Sequence, residues 1–327
     1  MGIVTDRRTV IAGLAATGLA SRIGPAAAQD LVAAAKREGK GTIYTVADPA
    51  LIQGLLDAFD KAYGIKVQMQ RLSSGPLSQR FAAEHQAGTH VADVMITTDP
   101  VFTQTAKDRG WLASVEGLPN LRDWPAYAWD GTTAIAAHVP YSIAWNTTVV
   151  TRPLTGWRDL VDPQWAGRIL LPDPRVAVNA MTWYSLMRKT YGDEFLRTIG
   201  KAATYVPSAV PGAQQLAAGA AAIYAPAVHQ ILVGLVAKGA PIGQAFIEPT
   251  LSTDNLVSVN ARAPNPAVAR LLLDFALSVP GQAILNADGF SPRTGVPGTR
   301  PLPTLSEADP QATRAETPQM LALLGLA

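Results

Sequence analysis

Ile65, Val67 and Met69 alternate with Lys66, Gln68 and Gln70, a period of two that predicts a half-buried strand. Ahead of it, Leu51, Ile52, Leu55, Leu56, Phe59 and Tyr63 recur at helical spacing. Asp48-Pro49 opens that helix with a capping carboxylate and a first-turn proline, and Gly64 closes it. Residues 42–47 read as a short buried strand. Ser73-Ser74-Gly75 leads into a helix carrying Leu77 and Phe81, and residues 94–97 form a third strand. Asp99-Pro100 then repeats the cap-and-proline device before a helix that stops at Gly110. Successive strand-to-helix turns predict an α/β layer with parallel strands, because parallel neighbours need helical crossovers.

A second α/β unit follows the run 132–150. Residues 168–171 are its clearest strand, and Asp173-Pro174-Arg175 is expected to open a helix through Met181, Tyr184 and Met187. Residues 220–224 read as another strand, followed by a helix ending at Lys238-Gly239 and a strand at 242–247. Residues 255–261 are strand-like, and Asn265-Pro266 caps a helix through Leu271, Leu272, Phe275 and Leu277. Residues 297–327 are Pro-rich with one short helix expected at 320–326.

Composition narrows the chemistry. The 327 residues include no cysteine, which excludes disulfides, thiolate metal sites and thiol catalysis, and 27 basic against 25 acidic residues offer no electrostatic case for nucleic acid. Residues 1–28 read as a cleaved export signal. Arg7-Arg8 precede a mildly apolar stretch, Ala26-Ala27-Ala28 offers a cleavage site, and the arginine pair resembles a twin-arginine signal, with an ordinary secretory signal as the alternative. Removing them takes away Arg7, Arg8, Arg22 and Asp6 and leaves a formally neutral chain.

No G-x-S-x-G, G-x-G-x-x-G, P-loop or H-E-x-x-H motif occurs, and His85, His90, His138 and His229 lack metal-ligand spacing. In open α/β sheets, ligands bind beyond the carboxyl ends of strands, where helix N-termini present free N–H groups. The turns that qualify nominate Tyr44, Asp48, Ser73, Ser74, Asp99, Arg175, Val176, Ala177 and Tyr224 as ligand contacts. Asp48, Asp99 and the two serines would also serve as ordinary caps. An arginine in a first helical turn opposes the macrodipole, so Arg175 points either to solvent or to an anion.

The ordered set of stretches at 41–48, 58–67 (AFDKAYGIKV), 73–81 (SSGPLSQRF), 88–100 (GTHVADVMITTDP), 157–169 (WRDLVDPQWAGRI), 238–241 (KGAP) and 265–285 (NPAVARLLLDFALSVPGQAIL) resembles the periplasmic solute-binding proteins of ABC importers. The likeness is to the branch that holds ferric iron or small anions. It implies a two-lobed, type II periplasmic-binding-protein fold of the Venus flytrap kind, with two hinge strands and the ligand cleft between the lobes. On that reading residues 29–137 and 252–296 form one lobe, 138–251 the other, and 297–327 a tail packing on them. It further implies a periplasmic, non-enzymatic monomer that uses no cofactor and binds neither nucleic acid nor membrane. Its partners would be a small-molecule ligand and the permease in the inner membrane. Ferric binders of this kind use two adjacent tyrosines, and here only Tyr224 stands before Ala225-Pro226, with Asp48 and Asp99 near the other metal-ligand positions. A small organic carboxylate or phosphonate is therefore the expected solute, Arg175 its expected partner at the start of Val176-Ala177. A ferric ion held by Tyr224, Asp48 and Asp99 is one alternative, and an exported enzyme another.

Overall fold

The computed structural model describes residues 25–307 and 309–327. Most of the proposed export signal lies outside them, and the segment around the expected cleavage point falls in the first helix, α1 (Pro25–Glu38). The chain then alternates β1 (Lys40–Thr45), α2 (Pro49–Tyr63), β2 (Lys66–Arg71), α3 (Ser74–Ala87), β3 (Val94–Thr97), α4 (Pro100–Asp108), β4 (Thr133–Ala137) and β5 (Tyr141–Asn146). It continues through β6 (Ile169–Pro172), α5 (Met181–Tyr191), α6 (Asp193–Ala202), β7 (Ala203–Val206), α7 (Ala209–Ala217), β8 (Ile223–Val228), α8 (His229–Val236), β9 (Ile242–Ala245) and β10 (Asn255–Val259). Four helices close it: α9 (Pro266–Leu277), α10 (Val279–Leu285), α11 (Pro310–Ala315) and α12 (Thr317–Leu323).

Two five-stranded sheets result, in the orders β2-β1-β3-β10-β4 and β7-β6-β8-β5-β9. β1 pairs in parallel with β2 and β3, and β6 with β7 and β8. β10 runs antiparallel between β3 and β4. Every residue of β3, β5 and β6 is buried, as strands covered on both faces require. Phe59, Leu55 and Ile52 of α2 and Leu272 and Leu273 of α9 pack on one face of the first sheet, while Leu77, Phe81 and Met95 fill the other. In the second lobe Trp157 and Trp183 meet edge-on at 5.2 Å, and Met320 and Leu324 of the C-terminal segment join that core. Truncating a side chain such as Phe59 to alanine costs about 3–5 kcal/mol in cores of this kind.

The chain passes between the sheets twice, after β4 and before β10. These crossings run side by side, with Tyr141 N–H donating to the Leu251 carbonyl and Thr253 N–H to that of Val139, each at 2.9 Å. They form the double connection from which the cleft opens.

Three local expectations are corrected. Asp173-Pro174-Arg175 does not open a helix. Asp173 accepts from the Arg175 and Val176 amides in a tight turn, a short 3-10 segment spans Val178–Ala180, and α5 starts at Met181. A local Asp side-chain bond competes with helix initiation there. The strand expected at 220–224 begins at Ile223 and continues to Val228, so Tyr224 sits at its start. Pro226 is tolerated inside it because β8 bulges against β5 between Ala227 and Tyr224. The tail holds two helices where one was expected.

Candidate functional site

The carboxyl ends of the parallel strands in both sheets point into one space. Thr45 and Arg71 end β1 and β2 in register, and Pro172 and Val206 end β6 and β7 likewise. Between them lies a cavity of about 80 Å³ lined from the first lobe by residues including Asp48, Arg71, Ser73, Ser74, Ile96 and Thr98, and from the second by Tyr141, Asn179, Ser208, Tyr224, Pro226 and Gln230.

Arg71 dominates its chemistry. Alternation along β2 puts Val67, Met69 and Arg71 on one face, and Val67 and Met69 pack against the first core, so the arginine ends a core-facing row. It is half-buried, forms no ion pair with any described carboxylate, and its Nε is buried without a partner. Its one side-chain hydrogen bond among the described residues, Nη1 to Ser208 Oγ at 3.4 Å, crosses to the other lobe. Burial lowers the guanidinium's pKa below the ordinary value, and the Asp48 charge opposes that shift. Two helix N-termini flank it. Ser73 and Ser208 occupy the cap positions of α3 and α7, yet neither side chain makes a capping bond, which leaves both hydroxyls for other partners.

Two further polar atoms in the same wall lack partners. Tyr224 is 1% exposed and its hydroxyl bonds to no described residue, while burial pushes its pKa up. Gly212 of α7 fixes that ring, since a Cβ there would lie 2.8 Å from it. Gln230 is 6% exposed with Oε1 unpartnered. An orphaned buried polar group costs about 1–3 kcal/mol, and three of the eight such side-chain atoms among the described residues belong to residues that line this one cavity.

The lobes touch along the rim. Ser74 Oγ donates to Asn179 Oδ1 at 3.0 Å, and Gly75 N–H to the Val176 carbonyl at 3.3 Å. A Cβ on Gly75 would sit 3.1 Å from that carbonyl, so glycine permits the approach. The Asn179 amide also donates to Tyr141 Oη at 3.3 Å and Thr253 Oγ1 at 3.2 Å. This cluster separates the inner cavity from an outer one of about 640 Å³ lined by Asp99, Arg314 and Met181 among others.

Of the sequence-nominated residues, Asp48, Ser73, Ser74, Ala177 and Tyr224 line the inner cavity. Tyr44 does not. It is fully buried under α3, and its hydroxyl donates to Glu84 Oε1 at 2.6 Å. Asp99 faces the outer cavity, capping α4 at Phe102 and accepting from Ser78 Oγ at 3.3 Å. Val176 offers its carbonyl to Gly75 and lines neither cavity. Arg175 is exposed and folds back on Asp173, Nη2 to Oδ2 at 2.8 Å. The macrodipole argument fails for it because no helix starts there. Arg71, Asn179, Ser208 and Gln230 were missed. Arg71 left a signal, an arginine that ends the alternating row of Val67 and Met69, whereas the other three have none in local sequence.

The profile for bacterial extracellular solute-binding proteins matches residues 42–291. The chain belongs to that family. Among solved structures, this solute-binding protein is similar at 21% identity and a TM-score of 0.76 to the periplasmic binding protein AfuA from Actinobacillus pleuropneumoniae, with exogenous fructose-6-phosphate bound, covering 89% of this chain and 100% of that one. The substrate-binding protein of an ABC transporter from Agrobacterium tumefaciens aligns at 18% identity and a TM-score of 0.76, over 89% and 96% of the two chains. Iron-bound HitA from Pseudomonas aeruginosa aligns at 20% and 0.69, over 88% and 98%. At these identities the likeness establishes the shared two-lobed fold. No curated protein matches the solute-binding protein in sequence.

Proposed function

We propose that this solute-binding protein works in the periplasm as a monomer, captures a small organic carboxylate or phosphonate between its lobes, and presents it to the permease of an ABC importer. The observation that carries the reading is Arg71, a half-buried guanidinium with no carboxylate of its own and an unpartnered Nε at a cavity walled by both lobes. A buried unpaired cation is unfavourable alone, and an anion seated there would recover the charge-assisted hydrogen bonds it lacks. No catalytic step is assigned to the site.

Residues 29–137 with 252–296, and 138–251, are the two bodies that would close on ligand about the paired crossings, with 297–327 bound to them. Contacts from both lobes are satisfied together only when the lobes meet, so ligand favours the closed arrangement. Arg71 of the first lobe and Ser208 of the second would then hold one anionic group between them.

Calorimetric titration of the wild type and Arg71→Ala with short carboxylates, short phosphonates and their neutral amides tests this. Anions should bind the wild type alone. Equal binding of the neutral amides, or unchanged affinity in Arg71→Ala, overturns the reading. The ferric alternative needs several anionic oxygens around one point, whereas Tyr224 has no adjacent second tyrosine and Asp99 faces the outer cavity. A visible charge-transfer band on adding ferric citrate, lost in Tyr224→Phe, would establish it instead. Finding Met1 on the accumulated protein would remove the export step.

A further inference from the structure

We infer that the solute carries, beyond its anionic group, a hydroxyl on the far end of a short apolar carbon body, and that Gln230 Oε1 receives it. The inference rests on the anion reading above and concerns the other end of the same cavity.

Gln230 Nε2 donates to the His138 carbonyl at 3.2 Å. That bond sets which way the amide faces, because turning it over would press oxygen against oxygen. Oε1 is thereby left buried with no donor among the described residues, on a side chain that lines the cavity. It can only accept, so what completes it must donate.

Position separates this group from Arg71. Arg71 ends β2 and meets Ser208 just beyond β7, the edge strands of the two sheets, whereas Gln230 follows β8, two strands in from β7. Two strand spacings are roughly 10 Å, and both long side chains reach inward across part of it. The wall around them includes Ile96, Ala136, Ala177, Pro226, Val228 and Ile231. Such a surface favours a carbon body and offers few partners to a chain of hydroxyls. A volume of about 80 Å³, roughly the liquid volume of three waters, limits the solute to a small body such as a three-carbon acid or a two-carbon phosphonate with one substituent.

The donor is a hydroxyl and not an ammonium. Asp48 is the one carboxylate in the cavity wall, it acts electrostatically on Arg71, and its Oδ1 caps α2 through the Ala50 and Leu51 amides. No described anionic group in that wall stands at the Gln230 end, and one amide oxygen does not repay the desolvation of a full positive charge.

The test is calorimetry on the full chain with two series: propanoate, 3-hydroxypropanoate and 3-aminopropanoate; ethylphosphonate, 2-hydroxyethylphosphonate and 2-aminoethylphosphonate. In at least one series the hydroxylated member should bind about tenfold tighter than both relatives. Gln230→Met, which keeps the volume but cannot accept well, should bring the hydroxyl preference to within about twofold while Arg71→Ala still abolishes binding. A wild-type preference under about threefold in both series, a preference for the amine, no binding by any member, or a full preference retained in Gln230→Met overturns the inference. The wild-type ratios decide the matter even if Gln230→Met does not fold. A flat hydroxyl ratio with Arg71 still required sinks this inference alone, and binding indifferent to Arg71 sinks the anion reading as well.

Discussion

Arg71 and Arg175 both stand just beyond or at the carboxyl end of a strand, and their environments are opposite. Arg175 has Asp173 two residues away, pairs with it at 2.8 Å, and remains exposed. Arg71 has no carboxylate within ion-pairing reach among the described residues, is half-buried with its Nε unpartnered, and lines a cavity. Position beyond a strand therefore does not by itself bring an arginine to the cavity between the lobes. What matters is whether a local carboxylate has already claimed the charge and whether the side chain belongs to the inward row of its strand.

The sharpest way to break this comparison is Arg71→Ala. Loss of one side of a desolvated charge pair costs about 2–5 kcal/mol, so anion affinity should fall on the order of 30- to several-thousand-fold by calorimetry. Without ligand, thermal unfolding should not shift downward, since the guanidinium has no native ion pair to lose. Arg71→Lys should recover part of the affinity, because an ammonium keeps the charge but not the fork.

A smaller effect is expected from Tyr224→Phe. Removing an unpartnered buried hydroxyl should leave the unliganded protein as stable or slightly more so, while affinity for the anion drops by about tenfold, the worth of a hydrogen bond to a charged group. Stabilisation without ligand combined with unchanged affinity would show that the hydroxyl faces no solute.

The smallest effect belongs to Arg175→Ala, which should change affinity by less than about threefold, or about 0.7 kcal/mol. Its main partner is Asp173, whose carboxyl the guanidinium holds below the ordinary value. A depressed carboxyl stabilises the fold above its unfolded pKa and loses that contribution as pH falls through the folded one. The slight difference in melting between wild type and Arg175→Ala should therefore be present at neutral pH, begin to fade as pH falls to about 4, and vanish below the carboxyl's lowered folded value. Solvent screening at this exposed pair keeps it small. A large affinity loss in Arg175→Ala would reverse the assignment of the two arginines.

By itself the sequence specified the α/β elements, because helix and strand periods, capping Asp-Pro pairs and closing glycines are local properties that burial then reinforces. Asp48 at the head of α2 and Ser73-Ser74 at the head of α3 were legible for that reason, and so was their place beyond strand ends, where a cavity lies between the lobes. Periodicity shows that a face is covered without showing what covers it. Hence Tyr44, apolar-ringed and at a strand end, was indistinguishable from a cleft residue until α3 was seen to bury it against Glu84. Only the tertiary structure decided that Arg71 would meet Ser208, 137 residues away, that Ser74 would meet Asn179, 105 residues away, and that Gln230 would be held by the His138 carbonyl with its oxygen left open. Those pairings depend on how two sheets with separate cores face one another across a double crossing. No local pattern encodes that relation, because each lobe satisfies its own hydrophobic burial whatever stands opposite.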